Sequence, residues 1–331
     1  MPATSQRSQG KSRTASSVRS SHKRLRISIV GAGRLGTALG RALRRAGHQI
    51  ELVVAIHAAS ARRAAKGLGK GTLTATPVQL QDAKSKAHRS LTESELVIIA
   101  TPDGAIQTVA TELAQALANR RTKLEKVART VLHTSGAMPA QVLDPLRGYG
   151  FAVGSMHPLV SVADENSDAE IFRDVHFCLE GEIKAVRLAR MLVTQLGGRS
   201  FTINSEAKPL YHAAAVMASG HVTALFDLAL MMLHECGVSN AEAQRILRPL
   251  LSSAAKNLRK KTPARALTGP YARGDLETVR RHLRSLNIVG LEAASEVYKI
   301  LARHSLDLGK TLKRDENFRQ IAALLDSERE S

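Results

Sequence analysis

The chain has 331 residues, enough for two ordinary domains, with 48 Lys and Arg against 29 Asp and Glu for a net charge of +19. Its 44% hydrophobic and 23% charged residues exclude a disordered or fibrous chain, and with 3% aromatics and no Trp its cores must be built from Ala, Leu, Val and Ile. Two cysteines, Cys178 and Cys236, exclude a disulfide framework; both stand in apolar stretches and read as small buried thiols of a reducing cytoplasm.

The first element is a basic tail. Residues 1–26 hold Arg7, Lys11, Arg13, Arg19, Lys23, Arg24 and Arg26 without an acid, and removing those seven leaves 41 bases against 29 acids. Residues 1–24 are Ser/Arg-rich and nearly free of large apolar side chains, which predicts a disordered, solvated tail without the apolar stretch of a secretory signal. The remaining positive charge is spread over helix faces such as Arg41, Arg44 and Arg45. No basic platform interleaved with aromatics is present in the sequence, which argues against nucleic-acid binding as the main function.

Leu25 to Val30 then reads as a buried strand, followed by Gly31-Ala32-Gly33-Arg34-Leu35-Gly36 and by Leu35, Ala38, Leu39, Ala42, Leu43 and Ala46 at helical spacing, with Gly47 as a C-terminal cap. A glycine fingerprint between a strand and a helix is the context in which it has meaning. Gly31 permits the tight turn, Gly33 lets a pyrophosphate approach the backbone, and Gly36 lets helix and strand pack closely, while Arg34, Leu35 and the helix N-terminus offer free N–H groups to phosphate. The alternative is a glycine-rich turn without a ligand.

Ile50 to Ile56 forms the second strand. An acid at its end would read the ribose 2′-hydroxyl of NAD(H); the strand ends instead in Ala55-Ile56-His57, and Ser60, Arg62 and Arg63 follow. Those groups suit a 2′-phosphate, so NADP(H) is expected over NAD(H), unless the arginines are a solvated helix face.

A helix near Ala58 to Lys66 and a Gly/Thr-rich connection lead to strands at Leu96 to Ala100, Thr130 to His133 and Phe151 to Met156, with a helix from Ala105 to Leu117. Val175 to Leu179, a helix at Ile183 to Leu196, and Arg199 to Ile203 extend the same sheet. The fold class is therefore α/β, a doubly wound, mostly parallel Rossmann sheet over residues 25–203, with an all-helical substrate and dimerisation domain over 204–327. In such a sheet ligands bind at the carboxyl ends of the strands. Thr101, Pro102 and Asp103, then His133 and Ser135, then His157, come to that edge from three strands. Each also has a plain local reading: helix cap, turn or hydrogen-bonded loop residue.

Helices are expected at 207–236, 239–260, 276–286, 288–304 and 314–325. Residues 213–233 approach the length and apolarity of a membrane span, but His221 and Asp227 within them favour a buried helix at the centre of a helical domain or dimer. Lys208 precedes Pro209 at the helix start, where a lysine opposes the macrodipole. Lys208 and His212 lie one turn apart and can face one cleft, with the lysine pKa lowered and the pair exchanging protons with a substrate; the other reading is a surface lysine and a core histidine. Asp275 is a natural N-cap, and Arg273 reads either as a partner for a substrate anion or as a helix-end residue. No Cys/His cluster has metal-ligand spacing.

The stretches IVGAGRLGTAL, VIIATPDGAI, LHTSGA, GSMHPL, KPLYHAAAVMAS, LTGPYARGD and TVRRHLRSL are spread, in that order, along Arg26 to Leu301. In them the chain resembles the Rossmann-like, domain-of-unknown-function 2520 (DUF2520) family. The resemblance implies an NAD(P) domain, a helical domain similar to those of 6-phosphogluconate dehydrogenase and pyrroline-5-carboxylate reductase, and a homodimer; it supplies no substrate. That family places Asn after the Ala-Ser of the long helix, where this chain has Gly220. In the related hydroxyacid dehydrogenases a Lys and an Asn one turn apart activate the substrate, a spacing that Lys208 and His212 share by analogy only. The expected activity is hydride transfer between nicotinamide and a carbonyl or imine carbon of a small substrate. Lys208 and His212 would handle the proton, Ser135 and His157 would orient the substrate, and Arg273 would hold an anionic group. The alternatives are an NADP(H)-binding sensor or assembly protein without turnover, and a nucleic-acid binder working through the tail.

Overall fold

The computed structural model describes residues 23–119, 128–164, 169–288, 290–310 and 316–327; the basic tail, apart from Lys23 and Arg24, lies outside them. The chain divides into two compact units, one running through Ala215 and one beginning at Val216.

The first unit contains β1 (Arg26–Val30), α1 (Arg34–Arg45), β2 (Gln49–Val54), α2 (Ala58–Ala65), β3 (Leu73–Ala75), α3 (Pro77–Gln81), α4 (Lys86–Glu93), β4 (Leu96–Ile99), α5 (Asp103–Ala118), β5 (Arg129–His133), β6 (Phe151–Pro158), β7 (His176–Gly181), α6 (Ile183–Gln195), β8 (Arg199–Thr202) and the start of α7 (Lys208–Met217). Its eight strands make one sheet in the order β3-β2-β1-β4-β5-β6-β7-β8. All neighbours are parallel except β6 and β7. Parallel pairing needs a long crossover, usually a helix. The described part of the β6–β7 connection has only a 3-10 turn, Ala169–Phe172, so β7 runs back alongside β6.

Strand sequences such as QIELVV and LVII are apolar on both sides because both faces of the sheet are covered. One face packs Ile29, Val53, Ile98 and Leu179 beneath Leu39 and Leu43 of α1 and Ala189 and Leu192 of α6. The other packs Val30, Val54 and Ile99 beneath Leu91 of α4, Ile106 and Leu113 of α5, and Leu143 and Leu146 of the 3-10 segment Ala140–Tyr149. The connection after α2 holds β3, α3 and α4, none of which the apolar pattern discloses. They are short, and the signals that mark them are local: the Thr76/Gln79 capping box and Ser85, which accepts from the His88 N–H.

The second unit is helical throughout its described residues: α8 (Gly220–Glu235), α9 (Asn240–Leu258), α10 (Pro263–Ala266), α11 (Pro270–Arg273), α12 (Leu276–Ile288), α13 (Glu292–Lys310) and α14 (Glu316–Ser327). Its core joins Tyr271, Val279, Leu283, Leu306, Phe318 and Ile321 from α11 to α14. The long helix expected over 207–236 is two helices, broken at Ser219 (φ −132°, ψ −76°). Of the two settings expected for the buried helix, the centre of its own helical domain is not what the single chain shows. Ser205–Glu235 is long and apolar enough to cross a membrane; its 18-residue apolar window has mean hydropathy 1.6, none of that window is buried in the single chain, and α8 has no buried residue. Cys178 is buried as expected, whereas Cys236, at the end of α8, is exposed.

Candidate functional site

Sheet order changes direction between β1 and β4: the chain winds outward through β2 and β3, then returns to lay β4 on the other side of β1. That switch point is where an open α/β sheet forms its ligand crevice, at the carboxyl edge. The glycine loop stands there. Gly31 has φ +111°, and a Cβ on it would come within 2.5 Å of Ala100 O. A Cβ on Gly36 would sit 2.1 Å from Gly31 O and 3.1 Å from the Ala100 methyl. These two glycines let α1 press against β1 and β4. Gly33 differs, since a Cβ there would meet nothing within 4 Å. It is the N-cap of α1, no side chain caps that helix, and its first turn holds no acid. An uncapped, acid-free helix start over open space fits a phosphate group. At the end of β4, Thr101 Oγ1 is buried without a hydrogen-bond partner among the described residues, a hydroxyl that suits a ligand entering the same crevice.

The other predicted cofactor residues are placed as follows. Arg34 is exposed and donates from Nη1 to Ala163 O at 3.2 Å. Leu35 is half-buried against the core under α1. Ser60 is half-buried on α2 and Arg62 exposed on it. Pro102 is the N-cap of α5; Asp103 is its first residue and does not cap it.

Strand register places Val54, Val30, Ile99, His133, Ser155 and Glu180 side by side across six strands. Paired residues share a face, so this row passes from apolar on β2, β1 and β4 to polar on β5, β6 and β7. Lys208 reaches the polar half. It is completely buried, so it is neither a surface lysine nor, in this structure, a group offered to a ligand. Its Nζ donates to Ser155 Oγ at 2.8 Å and to Ser135 O at 3.3 Å, and lies 4.0 Å from Glu180 Oε2. Burial pushes the lysine below its usual range, with Glu180 opposing the shift. Glu180 Oε2 also accepts the Ala140 N–H at 2.8 Å.

Ser135 serves its own loop. The N–H groups of Ala137 and Met138 donate to its Oγ at 3.1 and 2.9 Å, which is the turn reading rather than the substrate-orienting one. His133 is structural as well. The Ser135 N–H donates to its Nδ1 at 3.2 Å, leaving Nε2–H for Pro139 O at 3.3 Å. Burial, then Lys208, push its pKa down to about 3.

Beside this network His157, Tyr211 and His212 are half-buried. His157 Nδ1 and Tyr211 Oη share a 2.7 Å hydrogen bond, and the His157 ring stands edge-on to both the Tyr211 and the His212 rings. Gly136 makes room for them, since a Cβ there would lie 2.5 Å from His212 Cδ2 and 2.8 Å from His157 Cε1. His157 is pushed down to about 4 by burial first, then by His212 and Lys208. Burial, then the neighbouring Cys178, raise the Tyr211 phenol. Near neutrality the pair is therefore uncharged and able to donate and accept hydrogen bonds.

Two predicted positions fall in the second unit. Arg273 is largely exposed, with Nη2 3.9 Å from Asp275 Oδ2; Asp275 accepts the Thr278 N–H and caps α12 as expected. Gly220 is exposed, and a Cβ on it would meet only Val216 Cγ1 at 3.8 Å, so packing does not demand glycine there. Glu180, Ser155, Tyr211 and Gly136 complete the network without having been singled out. Glu180 carried a usable signal, a lone acid inside the apolar run HFCLEG. A separate cavity of about 680 Å³, lined by Glu95, Arg129, Phe151 and Glu182, opens at the amino ends of β4 to β6, the edge that open α/β sheets do not use for ligands.

Residues 10–158 match the Rossmann-like domain and residues 175–305 match the domain of unknown function DUF2520. The chain thus carries a match to the Rossmann-like domain followed by a match to DUF2520. No curated protein matches it. Among solved structures it is similar to a Bacteroides fragilis protein provisionally assigned as an NADP oxidoreductase (22% identity, TM-score 0.65, covering 86% of this chain and 98% of that one). It is also similar to the Thermotoga maritima protein TM1727 (24%, 0.64, 87% and 100%), and to a Plasmodium falciparum pyrroline carboxylate reductase with NADP bound (11%, 0.51, 86% and 98%). At these identities the likeness is one of fold. DUF2520 begins at β7, so Glu180 and Lys208 belong to it, whereas Ser135, Ser155 and His157 belong to the Rossmann-like match.

Two outcomes test this geometry. Gly36→Ala is expected to destabilise the first unit by roughly 1–3 kcal/mol through backbone overpacking, while Gly33→Ala leaves the denaturation midpoint unchanged; chemical denaturation checks both. His133 and His157 are held at about 3 and about 4 against 6.5 unfolded. As pH falls from about 6.5 to 4, the unfolded chain takes up protons that the folded chain refuses. Stability is therefore full above that window and is lost within it by up to about 1.4 kcal/mol per pH unit for each histidine. Urea titrations from pH 7.5 to 4.5 read the slope, and His157→Gln is expected to reduce it.

Proposed function

We propose that this protein is an NADP(H)-dependent oxidoreductase that moves a hydride between nicotinamide and a carbonyl or imine carbon of a small substrate. The observation that carries the reading is Gly33, the open N-cap of an uncapped helix at the sheet's switch point. Gly31, Gly33, Arg34, Leu35 and Gly36 would hold the pyrophosphate. Ser60 and Arg62, on the helix after an acid-free strand end, would take the 2′-phosphate. Thr101, Pro102 and Asp103 would border the nicotinamide, which when bound supplies or accepts the hydride. His157, uncharged near neutrality and bonded to Tyr211, would orient the reacting oxygen or nitrogen by hydrogen bonding. His212 beside it would exchange the proton.

Complete burial of Lys208 favours a second reading, NADP(H) binding without turnover. Titration of the protein with NADPH and separately with NADH, followed by nicotinamide fluorescence, tests the first step. NADPH is expected to bind more tightly, Arg62→Ala to reduce that preference, and Gly33→Asp to abolish binding of both. If neither nucleotide binds, the oxidoreductase reading and the sensor reading both fall. If NADPH binds and screening of carbonyl and imine compounds gives no loss of its absorbance, the sensor reading stands.

We further propose that the protein is a homodimer paired through α8, an apolar helix that its own chain leaves unburied, with Val222, Leu225 and Met231 exposed on it. A helix apolar on all sides requires cover. Sedimentation velocity is expected to show a dimer, and Leu225→Glu with Met231→Glu to give a monomer; a wild-type monomer at micromolar concentration refutes the pairing.

A further inference from the structure

Lys208 opens α7, and its neighbours on that turn are exposed, Leu210 to the extent of 79%. On that turn only the lysine is fully buried. Taking an ammonium out of water costs several kcal/mol unless it is well partnered, and here its partners come from three strands. The carbonyl of Ser135 follows β5, the hydroxyl of Ser155 lies on β6, and the carboxylate of Glu180 lies on β7. Ser155 Oγ is also 3.4 Å from Glu180 Oε2, so one hydroxyl accepts from the ammonium and donates to the carboxylate. Glu180 is fixed in turn by the Ala140 N–H.

Three residues after the lysine, Tyr211 Oη meets His157 Nδ1; four residues after it, His212 stands edge-on to the His157 ring above Gly136. In a helix these positions lie on one face, so the depth at which Lys208 is anchored sets where Tyr211 and His212 stand over β6. We propose that Lys208 is a positioning residue. Its buried ammonium pins the first turn of α7 to the polar row of the sheet, so that Tyr211 and His212 close on His157, and the lysine exchanges no proton with a ligand. This deepens the site described above and rests on His157 being its working group, but its test does not require nucleotide.

The charged and titratable groups facing this cluster are Glu180 and Cys178 from β7, Asp103 from α5, His133 from β5, and Tyr211 and His212 from α7. Of these, Lys208 and His212 oppose protonation of His157 while Asp103 favours it. A buried cation that positions and polarises thus leaves a mark on the histidine that a plain packing role would not.

The experiment is a pH titration of the full chain labelled with 15N-histidine, read by NMR, in wild type and Lys208→Met. Wild type is expected to hold His157 uncharged down to about pH 4, with the Nδ1 signal of a hydrogen-bonded ring. In Lys208→Met the His157 midpoint is expected to rise by about one pH unit, and the hydrogen-bonded signature with Tyr211 to be lost. A folded Lys208→Met whose His157 midpoint and Nδ1 signal match wild type overturns the proposal. If Lys208→Met does not fold, Ser155→Ala removes the 2.8 Å acceptor and keeps the charge; it is expected to disturb the Nδ1 signal of His157, and an unchanged signal overturns the proposal equally. NADPH titration of the same samples separates the two readings. Wild type that shows the His157 behaviour but binds no nucleotide loses the oxidoreductase proposal and keeps this one.

Discussion

The first unit depends on a contact that two missing side chains allow. With Gly31 at positive φ and Gly36 in the first turn of α1, the helix start rests directly on the carbonyl of Gly31 and the end of β4. Any Cβ at either position would lift the helix from the sheet. Leu39 and Leu43 would then lose their place over Ile29 and Val53, and the switch point between β1 and β4 would lose its shape. The contact that closes the core on one side therefore leaves the backbone of Gly33 open on the other. Packing of the sheet and an open helix start come from the same turn, and of its three glycines only Gly33 has open space where a Cβ would stand.

Across the sheet from that turn, the chemistry changes in character. Three strands contribute aliphatic residues to the row at the carboxyl edge, and three contribute His133, Ser155 and Glu180. Reversal of β7 is what brings Glu180 there, because a strand running back alongside β6 pairs its late residues with the middle of its neighbour. The acid then meets Lys208 arriving from α7, and the buried charge pair gives the polar half of the row an internal partner instead of solvent.

Much of this was legible in the sequence. Strand-loop-helix punctuation around Gly31, Gly33 and Gly36 disclosed the tight turn from β1 into α1, and the alternation of apolar strands with helices disclosed the sheet, because both rest on local rules of backbone and period. The network around Lys208 was half legible. A lysine at a helix start is a visible misfit, but whether it turns to solvent or into the sheet depends on Ser155 and Glu180, tens of residues away and in register only after β7 has reversed. Ser135 misled for a similar reason, since its hydroxyl has local N–H groups to satisfy before any ligand. The long apolar helix was legible in part, since sequence reports that a surface wants cover but not that its own chain leaves it bare.

The sheet's two borders are β3, of three residues, and β8, of four. An exposed strand edge is a template on which another chain can add by backbone hydrogen bonding, and its hazard grows with its length and flatness. Borders this short offer a foreign strand only a few rungs, too few to hold it in place of water. The eight described strands thus offer little backbone on which the sheet could grow into ribbons, and recognition through side chains, where shape and charge discriminate, is favoured over recognition through bare backbone.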